Sequence, residues 1–204
     1  MPTITWSDID GWFDYQNIYD AELSRVRSGV FVEVGTWLGR SAAYMASAIQ
    51  RSGKPIKFFV VDTFGGTPSD PYMSTYARNA GGSILDEWRS NMEACGVSEF
   101  VEPLVSDSST AADRFADESI DFCFIDANHD AGACLRDIRA WLPKIKPCGT
   151  LAGHDIDYDT VRADLHASGL RFFIDHRSWV YRKKPPLRHR DDIRRLNDMR
   201  ASRS

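Results

Sequence analysis

The chain has 204 residues, 43% of them hydrophobic and 26% charged, with a formal net charge of −4. That is one ordinary domain, or a domain with a tail, and it argues against a string of modules, a disordered chain or a wholly basic nucleic-acid coat. No run reaches the roughly 20 apolar residues of a membrane span, MPTITWSDID lacks the regions of a secretion signal, and Cys95, Cys123, Cys134 and Cys148 include no Cys-x-x-Cys pair, so a cytoplasmic protein with reduced thiols is expected.

Taken in chain order, Ser7 and Asp10 resemble a capping box, and Ile9, Trp12, Phe13, Tyr19 and Leu23 recur at roughly helical intervals. Residues 1–29 should be a helical segment, its helix running to about Arg27 and Trp6, Trp12 and Phe13 in the core. Residues 30–35 (VFVEVG) are β-branched and nearly all apolar, the pattern of a parallel strand buried on both faces. Residues 41–50 are Ala-rich with Gly53 and Pro55 as stop signals, giving strand, glycine-bearing turn and helix, with Arg40 a solvated helix-start residue. Residues 56–62 (IKFFVVD) repeat the strand pattern. The Gly, Pro, Ser and Thr of residues 63–82 form an insertion long enough to be a lid or substrate loop, and its Asp70, Tyr72, Met73 and Tyr76 suit a partly aromatic or sugar-like substrate. A helix over 83–95 stops at Gly96, and 100–105 is a third strand that Pro103 places at a sheet edge.

The alternation continues with a short helix over 109–115, a fourth strand over 119–126 (SIDFCFID), a helix over 131–145 with Asp130 as its cap, and a fifth strand over 149–155 (GTLAGHD). Strands separated by helices of this length need crossovers, which gives a doubly wound, Rossmann-like α/β sheet with helices on both faces. The rhythm then breaks. After a helix over 157–168, residues 171–175 and 178–182 are joined by only His176 and Arg177, too short for a crossover, so this pair is antiparallel. The domain spans 30–182. From Arg182 to Ser204 nine Lys or Arg stand against three Asp, while the body is acidic. The tail, residues 183–204, reads as a solvated or subunit-bridging helix from about Arg190, compatible with a homo-oligomer, in preference to an RNA-binding arm.

In an open α/β sheet, ligands bind beyond the carboxyl ends of the strands. Those ends carry Glu33, Gly35 and Gly39, then Asp62, then Asp107 with Ser108, then Asp126 with His129, then His154 with Asp155. Five acids at five strand ends suit a cationic or hydroxyl-rich ligand. A dinucleotide turn wants G-x-G-x-x-G, but Trp37 stands where its second glycine would be, so NAD fits poorly, and no G-x-x-x-x-G-K-[ST] phosphate loop exists. Asp62 is placed to accept from two ribose hydroxyls.

VFVEVGTWLGRSAAYMA, FFVVDTF and SIDFCFIDANHDAGACLRDIRAWLPKIKPCGTLAGHD together resemble class I S-adenosylmethionine-dependent methyltransferases. The similarity is to the bacterial small-molecule and sugar O-methyltransferases related to catechol O-methyltransferase. It implies a seven-stranded sheet, mostly parallel with an antiparallel last strand. It also implies that Glu33, Gly35, Thr36, Gly39 and Ser41 wrap the methionine part of the cofactor, that Asp62 binds ribose, that Asp107 and Ser108 contact adenine, and that Asp126 lies where the methyl group meets the acceptor. Ala131, where the family commonly has an aromatic residue, is a departure that bears on the acceptor.

Transfer to an alcohol needs its proton removed. His129 or His154 can act as general base. Alternatively Asp126, His154 and Asp155 hold a divalent ion such as Mg2+ that lowers the acceptor's pKa, the route that the catechol-type resemblance favours. The expected partner is a small-molecule acceptor, with neither nucleic acid nor membrane involved. The competing readings are an RNA-modifying methyltransferase and a binding protein that keeps the fold without turnover.

Overall fold

The computed structural model describes residues 3–185. The helix expected from about Arg190 lies outside the described residues. The strands β1 (Gly29–Val34), β2 (Ile56–Asp62), β3 (Glu102–Val105), β4 (Ile120–Ile125), β5 (Ile145–Gly153), β6 (Phe173–Asp175) and β7 (Ser178–Arg182) form one sheet in the order β3-β2-β1-β4-β5-β7-β6. All pairings are parallel except those of β7 with β5 and with β6. The strand order reverses between β1 and β4, which opens a crevice at their carboxyl ends.

Strand periodicity sorts the side chains into two cores. Phe31, Phe58, Val60, Phe122 and Phe124 pack against α1 (Gln16–Arg25), α2 (Arg40–Ser52) and α4 (Leu85–Ala94). Their neighbours Val32, Val34, Val61, Cys123 and Ile125 pack against α5 (Ser108–Ala112), α6 (Ala133–Trp141) and α7 (Asp159–Ser168). Glu33, between Val32 and Val34, therefore faces the α1–α2 side. Among the described residues no helix is long and apolar enough to cross a membrane.

Four local expectations are corrected. The N-terminal segment is a single 3-10 turn, Trp6–Asp8, then an irregular stretch, then α1, and its capping box joins Thr5 to Asp8, not Ser7 to Asp10. Gly11 breaks the helix, with φ 139° in a region closed to other residues. Its carbonyl accepts from Arg40 Nη1 at 2.7 Å, so Arg40 clamps this segment instead of being merely solvated. The insertion at 63–82 contains a helix, α3 (Pro71–Asn79), because Asp70 accepts from the amides of Tyr72 and Met73 and Pro71 suits a first turn. The helix expected over 131–145 ends at Trp141, passes through a 3-10 turn holding Pro143, and gives way to β5 at Ile145, four residues earlier than the expected strand. Pro103 does lie on an edge strand, β3.

Candidate active site

The carboxyl ends of β1, β2, β4 and β5 open into a cleft of about 940 Å³. Its first wall is the β1–α2 turn. Gly35 has φ 86°, and a Cβ there would lie 2.0 Å from the Asp126 carbonyl oxygen, so only glycine lets the turn close on β4. Asp62 ties the turn down: its carboxylate accepts from the Thr36 amide at 2.9 Å and the Phe64 amide at 2.8 Å. Burial pushes its pKa up while these amide donors pull it down. Gly39 precedes α2 without a side-chain cap, which leaves first-turn amides for an anionic group. Trp88 packs under this turn, its Nε1 donating to Thr36 Oγ1 at 3.4 Å.

Glu33 stands apart from the other expected site residues. Its side chain does not line the cleft but lies beneath the turn, fully buried, accepting from Tyr19 Oη at 2.6 Å and Ser41 Oγ at 2.9 Å. Burial pushes its pKa up to about 7. Thr36, Ser41, Asp62, Asp107 and Ser108 line the cleft, while Gly39 lies under it against Trp88. At the β3 end, Asp107 caps α5 through the Thr110 amide at 3.0 Å, and Ser108 Oγ accepts from Trp141 Nε1 at 2.9 Å. The same end holds Asp137 of α6, 7% exposed, whose pKa burial pushes up to about 6.

The second wall gathers Asp126, His129, His154 and Asp155 as expected from the ends of β4 and β5. Asp126 accepts from Tyr15 Oη at 2.9 Å and lies 3.9 Å from His154 Nδ1. Burial pushes its pKa up to about 6, against the pull of His154. His154, 6% exposed, sets Nε2 2.7 Å from Asp14 and Nδ1 3.2 Å from Asp155. Burial lowers its pKa, but the carboxylates around it outweigh that and leave a net rise. His129 lies with Nε2 2.8 Å from Asp155 Oδ2, and its ring stacks on Tyr158 with centroids 4.7 Å apart. Here too burial lowers the pKa and Asp155 with Asp126 more than restores it, leaving a net rise. Burial alone would raise Asp155; the two histidines hold it well below the usual carboxylate range.

The loop that carries His129 is held from α7. Thr160 Oγ1 donates to the His129 carbonyl at 2.6 Å, and Asp164 accepts from the Gly132 and Leu135 amides at 3.0 and 3.2 Å. Asp164, not Asp130, thus caps α6; Asp130 bonds back to Asn128. Trp12 also departs from its expected core position, being 64% exposed on the cleft wall, while Trp6 and Phe13 pack against the core.

Several site residues have no signal in the sequence. Tyr15 and Asp14 reach Asp126 and His154 across 111 and 140 residues. Arg177, in the β6–β7 turn, donates to Asp155 Oδ1 at 2.6 Å and Asp157 Oδ2 at 3.1 Å. The only hint was that this turn is too short to be anything but a hairpin.

One group of metal-type donors exists among the described residues: ligand atoms of Asp126, His154 and Asp155 lie within 4.8 Å of one another. These donors do not fit a magnesium ion. One is an imidazole nitrogen, where magnesium prefers oxygen. Asp155 is already shared by His129, His154 and the Arg177 guanidinium, and a dication beside that guanidinium would be repelled.

A family model described as "Methyltransferase domain" matches residues 32–156. Among solved structures, the O-methyltransferase NovP is similar at a TM-score of 0.59 and 17% identity, over 83% of this chain and 78% of that one. A SAM-dependent O-methyltransferase from Thermotoga maritima gives 0.58 and 16%, over 86% and 68%. Precorrin-6y C5,15-methyltransferase from Geobacter metallireducens gives 0.58 and 16%, over 90% and 97%. At these identities the structural likeness shows the fold.

Proposed function

The chain belongs to the methyltransferase domain family, and from that premise we propose that it transfers the methyl group of S-adenosylmethionine to a hydroxyl oxygen of a small molecule. The observation that carries this reading is the His129–Asp155 pair, set at 2.8 Å on the cleft wall beside Asp126. A transfer that needed only alignment of donor and acceptor would have no use for an imidazole at ion-pair distance from a carboxylate. An alcohol acceptor has a proton to lose.

The residues present suit the cofactor. The Gly35 backbone on the cleft wall, the uncapped start of α2 and the acid at the end of β2 offer backbone approach, amide donors and a hydroxyl acceptor. When bound, S-adenosylmethionine supplies a methyl group already activated on a sulfonium. The chain's own part is then to bind, orient and move a proton. Asp62 takes the ribose hydroxyls. Asp107, Ser108 and the buried Asp137 surround the adenine end. Asp126, its carboxyl fixed by Tyr15, sets a negative charge beside the sulfonium. His129 takes the acceptor proton on Nδ1, and Asp155 at Nε2 stabilises the imidazolium formed. His154, bonded to Asp14 and Asp155, orients Asp155 and is not itself the base.

Among the described residues eight aspartates against three arginines line the cleft, which favours a neutral or cationic small acceptor over the phosphate backbone of RNA. In this reading residues 30–182 are the catalytic domain, 63–82 with α3 its lid, and 1–29 the segment that completes the acceptor side through Asp14 and Tyr15. The four cysteines are unpaired, which supports a cytoplasmic setting. Calorimetry with S-adenosylhomocysteine, followed by a screen of hydroxylated acceptors with labelled methyl donor, tests the proposal. Binding and label transfer to oxygen are expected. Tighter binding of NAD, or transfer only to carbon or nitrogen, would overturn it.

A further inference from the structure

We infer that Arg177 is the resident cation of this active site, holding the place beside Asp155 that a divalent metal would need, so that the chain positions its histidine base without a metal. The inference deepens the function proposed above and rests on it.

The guanidinium reaches the cleft from the two-residue turn between β6 and β7 and touches both Asp155 and Asp157. The contact is built in from two directions. The Ile156 amide donates to the Arg177 carbonyl at 3.0 Å, so the backbone of the turn is stitched to the same three-residue stretch that the side chain binds. Asp155 and His176 both adopt left-handed backbone, at φ 58° and 53°, which a non-glycine residue adopts only when its surroundings enforce it. From that backbone the Asp155 carboxylate sets Oδ1 2.6 Å from Arg177 and Oδ2 2.8 Å from His129. A planar fork with a permanent charge suits this position, since it donates to two carboxylates at once. The work a metal would do here, fixing the Asp155 carboxylate beside a positive charge, is done by a side chain. Arg177 is thus a positioning residue that acts on the base through Asp155.

The test is a Mn2+ titration followed by electron paramagnetic resonance on chelator-stripped, full-length protein, with S-adenosylhomocysteine calorimetry on the same samples. Wild type is expected to bind Mn2+ no better than Asp155→Asn does. Arg177→Gln should open the place and bind Mn2+ at least about tenfold more tightly than wild type, and Arg177→Gln combined with Asp155→Asn should lose that gain. Arg177→Lys, which keeps the charge, should gain nothing. Wild-type Mn2+ binding that Asp155→Asn removes would overturn the inference, and that arm decides alone if Arg177→Gln does not fold. No gain in a folded Arg177→Gln protein would overturn it equally. Failure of wild type to bind S-adenosylhomocysteine would count against the methyltransferase reading of the cleft and leave the Mn2+ result to judge Arg177.

Discussion

The two walls of the cleft are built by different means. On the cofactor wall the anchoring bonds run to main-chain amides near the turn itself, as when Asp62 accepts from Thr36 and Phe64. The opposite wall is held by side chain to side chain: Tyr15 to Asp126 and His154 to Asp14 across 111 and 140 residues, and Arg177 to Asp155. A backbone-built wall can tolerate change in its side chains as long as the turn keeps its course. A wall of mutually charged side chains cannot lose one member without altering the protonation of the rest.

The sharpest test of that contrast is His129→Ala. It should lower kcat by about 10²–10⁴-fold, the usual share of a general base, with S-adenosylhomocysteine affinity unchanged by calorimetry. A matching loss of affinity would mean the walls are not independent. The pH profile adds a sign. His129 titrates above its ordinary 6.5, chiefly because Asp155 outweighs the effect of burial. Its protonated form cannot take a proton, so the rate should fall as pH drops through that raised value. Asp155→Asn removes the charge responsible and should move the acidic limb to lower pH; a limb that stays in place would assign the base elsewhere.

Next in size is Glu33, under the cofactor wall. Its folded-state pKa of about 7 lies above the ordinary 4.5, so the folded protein keeps a proton that the unfolded chain has shed. Its contribution is therefore fully present below pH 4.5 and is lost as pH rises through about 7. Glu33→Gln removes that dependence. Urea unfolding should show the variant gaining on wild type by up to about 3 kcal/mol between acid and neutral pH. Parallel stability curves would show that Glu33 is not the buried acid it is taken for.

Asp62→Ala should weaken S-adenosylhomocysteine by about 1–3 kcal/mol, since hydroxyl and amide partners lose a charged acceptor together. If kcat falls while affinity holds, Asp62 does not bind the ribose. The smallest effect belongs to the tail: truncation after Lys184 should leave affinity and kcat unchanged, because no described residue beyond Arg177 lines the cleft. RNA binding that is steeply salt-dependent and disappears with the truncation would instead favour a nucleic-acid substrate.

The contrast also explains what could be read from the sequence. The parallel strands, the terminal antiparallel pair and the acids at the strand ends follow from short apolar runs and connection lengths, because these are local signals that a parallel sheet converts into position. Asp126, His129, His154 and Asp155 are legible for the same reason. Glu33 is misread as a cleft residue, since alternation along β1 sends it to the helix-packed face where Tyr19 and Ser41 wait. The helix α3 is hidden by the turn-forming composition of its surroundings, although Asp70 and Pro71 do spell a cap. Tyr15 and Asp14 leave no trace at all, and Arg177 only its place in a short hairpin turn, for their meaning depends on partners that only the folded sheet brings near.

The stretch around Asp14 and Tyr15 has a consequence for the order of events in making the protein. These residues leave the ribosome well before their partners, for Asp126 and His154 are synthesised 111 and 140 residues later. Closure of loops that long must wait for the sheet. The cofactor wall, whose amide contacts span at most 26 residues, can form while the acceptor wall is still open. A nascent or partly unfolded chain would accordingly hold the methyl donor's binding turn before it could hold an acceptor.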